Sequence, residues 1–175
     1  MRDILVVIDM QNDFITGTLG TKEAIAVQPE VVKIVEQFQG EILFTRDTHE
    51  EDYLTTREGK NLPIKHCIRN TNGWEIEPEL KSLAFEKGCR ILDKPTFGSV
   101  ELMEYLKQLN DQDPISTLTF VGVCTDICVI SNVLLAKAAL LNTEIKVIKD
   151  ACAGVTKESH ENALMAMKAC QIEII

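Results

Sequence analysis

Short runs of aliphatic and β-branched residues recur along this chain: ILVVI (4–8), EILFT (41–45), CRILD (89–93), STLTFVGV (116–123), IKVIK (145–149) and QIEII (171–175). ILVVI is apolar on every residue, and EILFT and STLTFVGV hold unbroken stretches, ILF and FVGV, without alternating polar residues, so both faces of the strands they form must be covered. Helical patterns lie between most of them: PEVVKIVEQF (29–38) with Pro29 near a first turn, SVELMEYLKQL (99–109), TDICVISNVLLAKAALLN (125–142) and KESHENALMAMKAC (157–170). Strands that alternate with helices give an α/β fold: a doubly wound, mostly parallel six-stranded sheet with helices on both faces, in three layers.

The length of 175 residues suits a single domain spanning 1–175. Eighteen basic against twenty-seven acidic side chains leave a net charge of -9, which repels phosphate backbones and anionic lipid, so neither nucleic acid nor membrane is an expected partner. In MRDILVVIDM the apolar run is broken by Asp9, which reads as neither a signal peptide nor a span and points to the cytoplasm. Six cysteines without a secretory signal are expected as thiols, and none forms a CxxC pair. No GxGxxG or GxxxxGK[ST] occurs, which removes dinucleotide and P-loop readings.

One stretch breaks the alternation. Residues 46–80 are polar, punctuated by Gly59, Pro63, Gly73 and Pro78, and show little periodicity, as expected of a functional loop. In open α/β sheets ligands bind beyond the carboxyl ends of the strands. Those ends carry Asp9, then Asp47 and His49, then Asp93 and Lys94, then Cys124 and Cys128, all of which should converge on one rim.

The two cysteines of VGVCTDICV (121–129) differ in position. With Thr125 as an N-cap and Asp126 in the first turn, Cys128 falls where free amides and the helix dipole should lower a thiol pKa. A nucleophilic thiol also needs a base and an oxyanion donor. Asp9 suits the first role, Lys94 can hold Asp9 charged, and the backbone amides of Cys124 and Cys128 suit the second. A cap from Thr125 to the Cys128 amide would conflict with that last role, so the cap should reach Ile127 instead.

Three separated motifs, VVIDMQNDF (6–14), DKPTFGS (93–99) and VGVCTDICV (121–129), resemble those of the isochorismatase-like cysteine hydrolases, and within them the nicotinamidases and pyrazinamidases. The resemblance implies Asp9, Lys94 and Cys128 as catalytic residues, a cis peptide between Val123 and Cys124, and an oxyanion hole from the Cys124 and Cys128 amides. It places Phe14 against a substrate ring. In the loop, Asp47, His49, Glu58 and His66 match a site for one divalent metal, with zinc ahead of iron or manganese.

The implied activity is hydrolysis of nicotinamide to nicotinic acid and ammonia through a Cys128 thioester, with the pyridine nitrogen on the metal, by a homo-oligomer serving pyridine nucleotide salvage. Two departures stand out: Leu62 replaces the Trp usual before Pro63, with one extra residue before His66, and the segment after Lys94 is short. They leave open the pocket wall around Leu62 and Phe97. His160, in KESHENAL, is expected to be solvated or capping, and Trp74 has no evident chemical role. The alternatives are a metal-free sibling acting on another small amide, a carbamoyl compound or isochorismate, and a receiver-like signalling domain, which would need neither Cys128 nor the metal loop.

Overall fold

A computed structural model describes residues 2–175. Strand β1 (Arg2–Ile8) runs through the centre. Its residues alternate between two cores, Ile4, Val6 and Ile8 facing one and Leu5 and Val7 the other, so an uninterrupted apolar run is what a strand covered on both faces requires. Around it lie β2 (Glu41–Asp47), β3 (Arg90–Lys94), β4 (Ile115–Val123), β5 (Glu144–Ala153) and β6 (Glu173–Ile174) in the order β3-β2-β1-β4-β5-β6. Every pairing is parallel.

Three helices cover the first face: α5 (Val100–Gln112), α6 (Ile130–Ala139) and α7 (Lys157–Ala169), contributing Leu102, Leu106, Val133 and Met167 to its core. The other face is covered by α1 (Asn12–Ile15), α2 (Lys22–Gln37) and α4 (Pro78–Glu86) through Ile15, Val31, Val35 and Leu80. Helix α2 begins a full two turns before the expected place. Thr21 caps it by accepting from the Ala24 amide, so Pro29 lies inside the helix rather than near its first turn. The break is tolerable because the carbonyl that loses its partner belongs to Ile25, which is half exposed and can be hydrated.

The stretch 46–80 holds more order than its composition suggests, with a 3₁₀ turn at Tyr53–Thr55, helix α3 (Arg57–Asn61) and the start of α4. The order in which strands are added reverses between β1 and β4, which are parallel neighbours in register up to Ile8 and Gly122. That seam is where an open sheet of this order leaves a crevice. Gly122 has φ +117, and a Cβ there would come within 2.1 Å of the Ile8 carbonyl oxygen, so this close approach requires glycine. No helix is long and apolar enough to cross a membrane among the described residues.

Candidate active site

Asp9 is the residue immediately beyond β1, at φ +48, a conformation that Asp tolerates better than most side chains. It is fully buried. Its Oδ1 accepts a 2.7 Å hydrogen bond from Thr45 Oγ1 on β2. Lys94 Nζ, at the end of β3, lies 2.6 Å from Oδ2. The two charges form an ion pair with both side chains fully buried.

Lys94 is itself 1% exposed. Its Nζ donates to the Thr96 carbonyl at 3.1 Å and sits 3.4 Å from Asp47 Oδ1 and 3.6 Å from Cys128 Sγ. One ammonium therefore faces two carboxylates and one thiol. Burial alone would lower its pKa, but the charges around it push it well above the ordinary lysine value. Asp47 moves the opposite way: Lys94 and the two histidines overcome the burial penalty and hold it far below the carboxylate range.

Cys128 is buried in a π-helical turn, Thr125–Val129, that leads into α6. Here two expectations fail. Cys124, not Thr125, is the N-cap residue, and no side chain caps the turn; the Thr125 hydroxyl instead meets the His160 ring at 2.8 Å. The conflict over the Cys128 amide thus disappears. The Cys124 carbonyl accepts from the amides of Ile127 and Val129, which bracket that of Cys128. The bond between Val123 and Cys124 is cis.

The second failure concerns the thiol. Its pKa is raised well above the ordinary value, by burial first and by Asp9 next, with Lys94 opposing. A turn's dipole is a small term against desolvation of an anion, so Cys128 rests as a thiol and needs a base within reach. Asp9, within hydrogen-bonding reach of it, is raised as well, again chiefly by burial and against the pull of Lys94.

The loop brings its four polar residues together. One ligand atom from each of Asp47, His49, Glu58 and His66 lies within 4.8 Å of all the others. Nε2 of His49 is 3.0 Å from Asp47 Oδ2 and 3.4 Å from Glu58 Oε1, while Nε2 of His66 is 3.5 and 3.8 Å from the same two atoms. His66 Nδ1 donates to the Ile64 carbonyl at 2.8 Å, which leaves its Nε2 lone pair free to ligate. Ligands at about 2.0–2.2 Å from one ion lie at most about 4.4 Å apart, so small side-chain rotations would close this set around a divalent metal. Two neutral imidazoles and two carboxylates are the donors that zinc, iron and manganese accept.

Gln11 and Trp74 hold the loop against the sheet. The fully buried Gln11 carboxamide accepts from the Asp47 amide (2.7 Å) and donates to the Asp47 and Trp74 carbonyls (2.8 Å each). Trp74 donates to Thr48 Oγ1 at 2.8 Å, and its ring lies under the Arg46 guanidinium, 3.6 Å away. The role that sequence left blank for Trp74 is structural: it pins residues 46–48. Gln11 was missed because a glutamine beside a motif residue shows no sign of where its amide reaches.

A cavity of about 280 Å³ opens above these groups. Asp47, Glu58, His66, Cys124 and Cys128 line it, with Phe14, Leu62, Phe97, Ile127 and Val155 as apolar walls. Phe14 lies 5.7 Å from the His66 ring. A small, flat, mostly apolar molecule with one polar end fits these walls.

The chain matches the family model described as an isochorismatase domain over residues 3–175. It is 26% identical to a nicotinamidase of Schizosaccharomyces pombe, with 98% of this chain and 91% of that protein aligned. Among solved structures, a nicotinamidase/pyrazinamidase of Bacillus subtilis superimposes with a TM-score of 0.87 at 25% identity, covering 99% of both chains. A pyrazinamidase of Pyrococcus horikoshii, solved in complex with zinc, gives 0.81 at 27% identity, covering 100% of this chain and 99% of that one.

Proposed function

We propose, from the premise that this chain belongs to the isochorismatase family, that it is a metal-dependent cysteine amidase that hydrolyses nicotinamide. The observation that carries this reading is the position of Lys94 Nζ, 2.6 Å from Asp9, 3.6 Å from Cys128 and 3.4 Å from Asp47. It joins a thiol and a base to a four-residue metal cluster on the floor of one cavity. Nicotinamidases among the relatives, and a zinc-containing pyrazinamidase among the structural neighbours, support the substrate and the metal.

Asp9 takes the Cys128 proton, and Lys94 keeps the resulting charges balanced. The sulfur attacks the carboxamide carbon, and the amides of Cys124 and Cys128 receive the oxyanion. The proton returns from Asp9 to the departing nitrogen, ammonia leaves, and water hydrolyses the thioester to the carboxylic acid and free thiol. Phe14 and the apolar walls orient the ring. A divalent ion held by Asp47, His49, Glu58 and His66 would supply an electrophilic anchor for a ring nitrogen or water.

A metal-free sibling has no need of the four-residue cluster, and a receiver-like domain has no use for a thiol buried against a lysine. We expect a cytoplasmic homo-oligomer, which sedimentation of the purified protein checks. The deciding assay is ammonia release with and without chelation. Nicotinamide turnover should fall at least about a hundredfold without metal, since a correctly placed anchor is worth several kcal/mol of barrier. Benzamide, which lacks the ring nitrogen, should be a poor substrate even for metal-loaded protein. Turnover that survives complete metal removal would transfer the reading to the metal-free class.

A further inference from the structure

The turn that carries Cys128 is tied from outside at two points, both on the corner between β5 and α7. Asp126 Oδ1 accepts from the Val155 amide at 3.1 Å. Thr125 Oγ1 and His160 Nδ1 share the 2.8 Å hydrogen bond noted above. Thr125 is fully buried, and this is the hydrogen bond its hydroxyl makes. Gly154 permits the approach: a Cβ there would lie 3.0 Å from both Asp126 Oδ1 and His160 Cα.

We propose that His160 is a positioning residue for the reaction, acting through Thr125 to fix the turn that presents the Cys128 thiol and amide. The inference rests on Cys128 being the nucleophile. The turn begins at Cys124, whose carbonyl holds the Ile127 and Val129 amides, and no side chain caps it. Its rear is fixed to α6, where Asn132 Nδ2 donates to the Cys128 carbonyl at 2.8 Å and Ser131 Oγ to the Ile127 carbonyl at 2.6 Å, so its front edge at Thr125 is the part that depends on contacts from α7. Thr125 is at that edge, three residues before the reacting sulfur. His160 stands in the first turn of α7, a helix fixed at its start by reciprocal bonds between Thr156 and Ser159 and packed into the core through Leu164 and Met167. The imidazole thus transmits the position of a rigid helix to a turn that lacks a cap of its own. His160 also lines a separate surface cavity of about 330 Å³ with Cys152, Gly154 and Lys157, so it stands between that cavity and the nucleophile's turn.

The experiment compares the wild type with His160→Ala, His160→Asn, Thr125→Val and the double variant His160→Ala/Thr125→Val, all metal-loaded. Two readouts are taken: the rate of iodoacetamide alkylation at Cys128, located by peptide mapping, and kcat and KM for nicotinamide. His160→Ala should lower the alkylation rate and kcat each about tenfold, equivalent to about 1.4 kcal/mol of barrier, with KM little changed. His160→Asn, whose side-chain amide can occupy the Nδ1 position, should recover most of both. The double variant should be no worse than the poorer single one, since both remove one contact. A reactive wild type with unchanged rates in His160→Ala, or additive losses in the double variant, overturns the inference alone. A wild type whose Cys128 resists alkylation overturns the cysteine mechanism and this inference together. If His160→Ala does not fold, equal rates in the Thr125→Val variant and the wild type overturn it.

Discussion

Replacing Lys94 with methionine keeps the length of the side chain and deletes the one ammonium shared by Asp9 and Asp47. In the wild type that ammonium is 1% exposed and lies 2.6 and 3.4 Å from the two carboxylates, so no water can take its place without opening the site. Removing one partner of a buried ion pair costs about 3–5 kcal/mol, because the other charge is left uncompensated. For a chain of this size each kcal/mol shifts Tm by about 2–4 °C, so the midpoint should fall by roughly 6–20 °C near neutral pH. The loss should depend on pH with a definite sign. Burial already raises Asp9, and without Lys94 only the Thr45 hydrogen bond opposes it while Asp47 adds to it, so its folded pKa rises further above the unfolded value. Stability from such a group is complete below the unfolded pKa and is lost as pH rises through the folded one, so the gap to wild type should narrow toward acid. The variant Asp9→Asn/Lys94→Met, which removes both charges of the closest pair, should recover part of the loss. Calorimetry of metal-loaded protein across pH measures all three proteins. A Lys94→Met midpoint within about 2 °C of wild type, independent of pH, would refute the picture of a buried charge triad.

Cys128→Ala should abolish turnover while Cys124→Ala keeps a substantial fraction, since only the backbone of Cys124 enters the mechanism; equal and complete loss in two folded variants would reverse the roles. Asp9→Asn should lower kcat at least about a hundredfold and suppress alkylation of Cys128 near neutral pH, because the thiol does not ionise unaided. Burial would lower the His49 pKa, but Asp47 and Glu58 outweigh it and raise it to about 9, so a metal must displace a proton there. Zinc affinity should therefore climb about tenfold per pH unit between 7 and 8 and level off above 9, with proton release visible by calorimetry in buffers of different ionisation enthalpy.

The sheet was readable because β1 and β4 are apolar on both sides, and that admits few arrangements. The place of each strand end followed from the same reasoning, which is why Asp9, Asp47, Lys94 and Cys128 could be set on one rim. Helix starts were less legible. Pro29 looked like a beginning because proline favours first turns, yet the cap at Thr21 decided the matter from eight residues upstream. The turn that carries Cys128 misled for a related reason: TDIC reads as a capped α-helix, whereas the Thr125 hydroxyl has a partner 35 residues away on α7. His160 and Gln11 act through contacts across the fold, and no local pattern marks either. The expectation of a lowered thiol pKa counted the helix dipole and left out burial, which depends on everything packed around Cys128.

The division of the site between two stretches of chain also bears on how such proteins diversify. The candidate metal ligands are Asp47, the last residue of β2, and His49, Glu58 and His66 on the connection from β2 to β3, while the thiol and its amides hang on β4 and the turn after it. Replacing this connection as a cassette would alter what is held while Asp9, Lys94 and Cys128 stay in place beside the ends of their strands. Asp47 limits the exchange: one of its oxygens faces the histidines and the other faces Lys94, so it belongs to the cassette and the chassis alike. Loop grafts that retain this aspartate should yield new specificities on a working scaffold, and those that discard it should need a new partner for the lysine before anything else can be tuned.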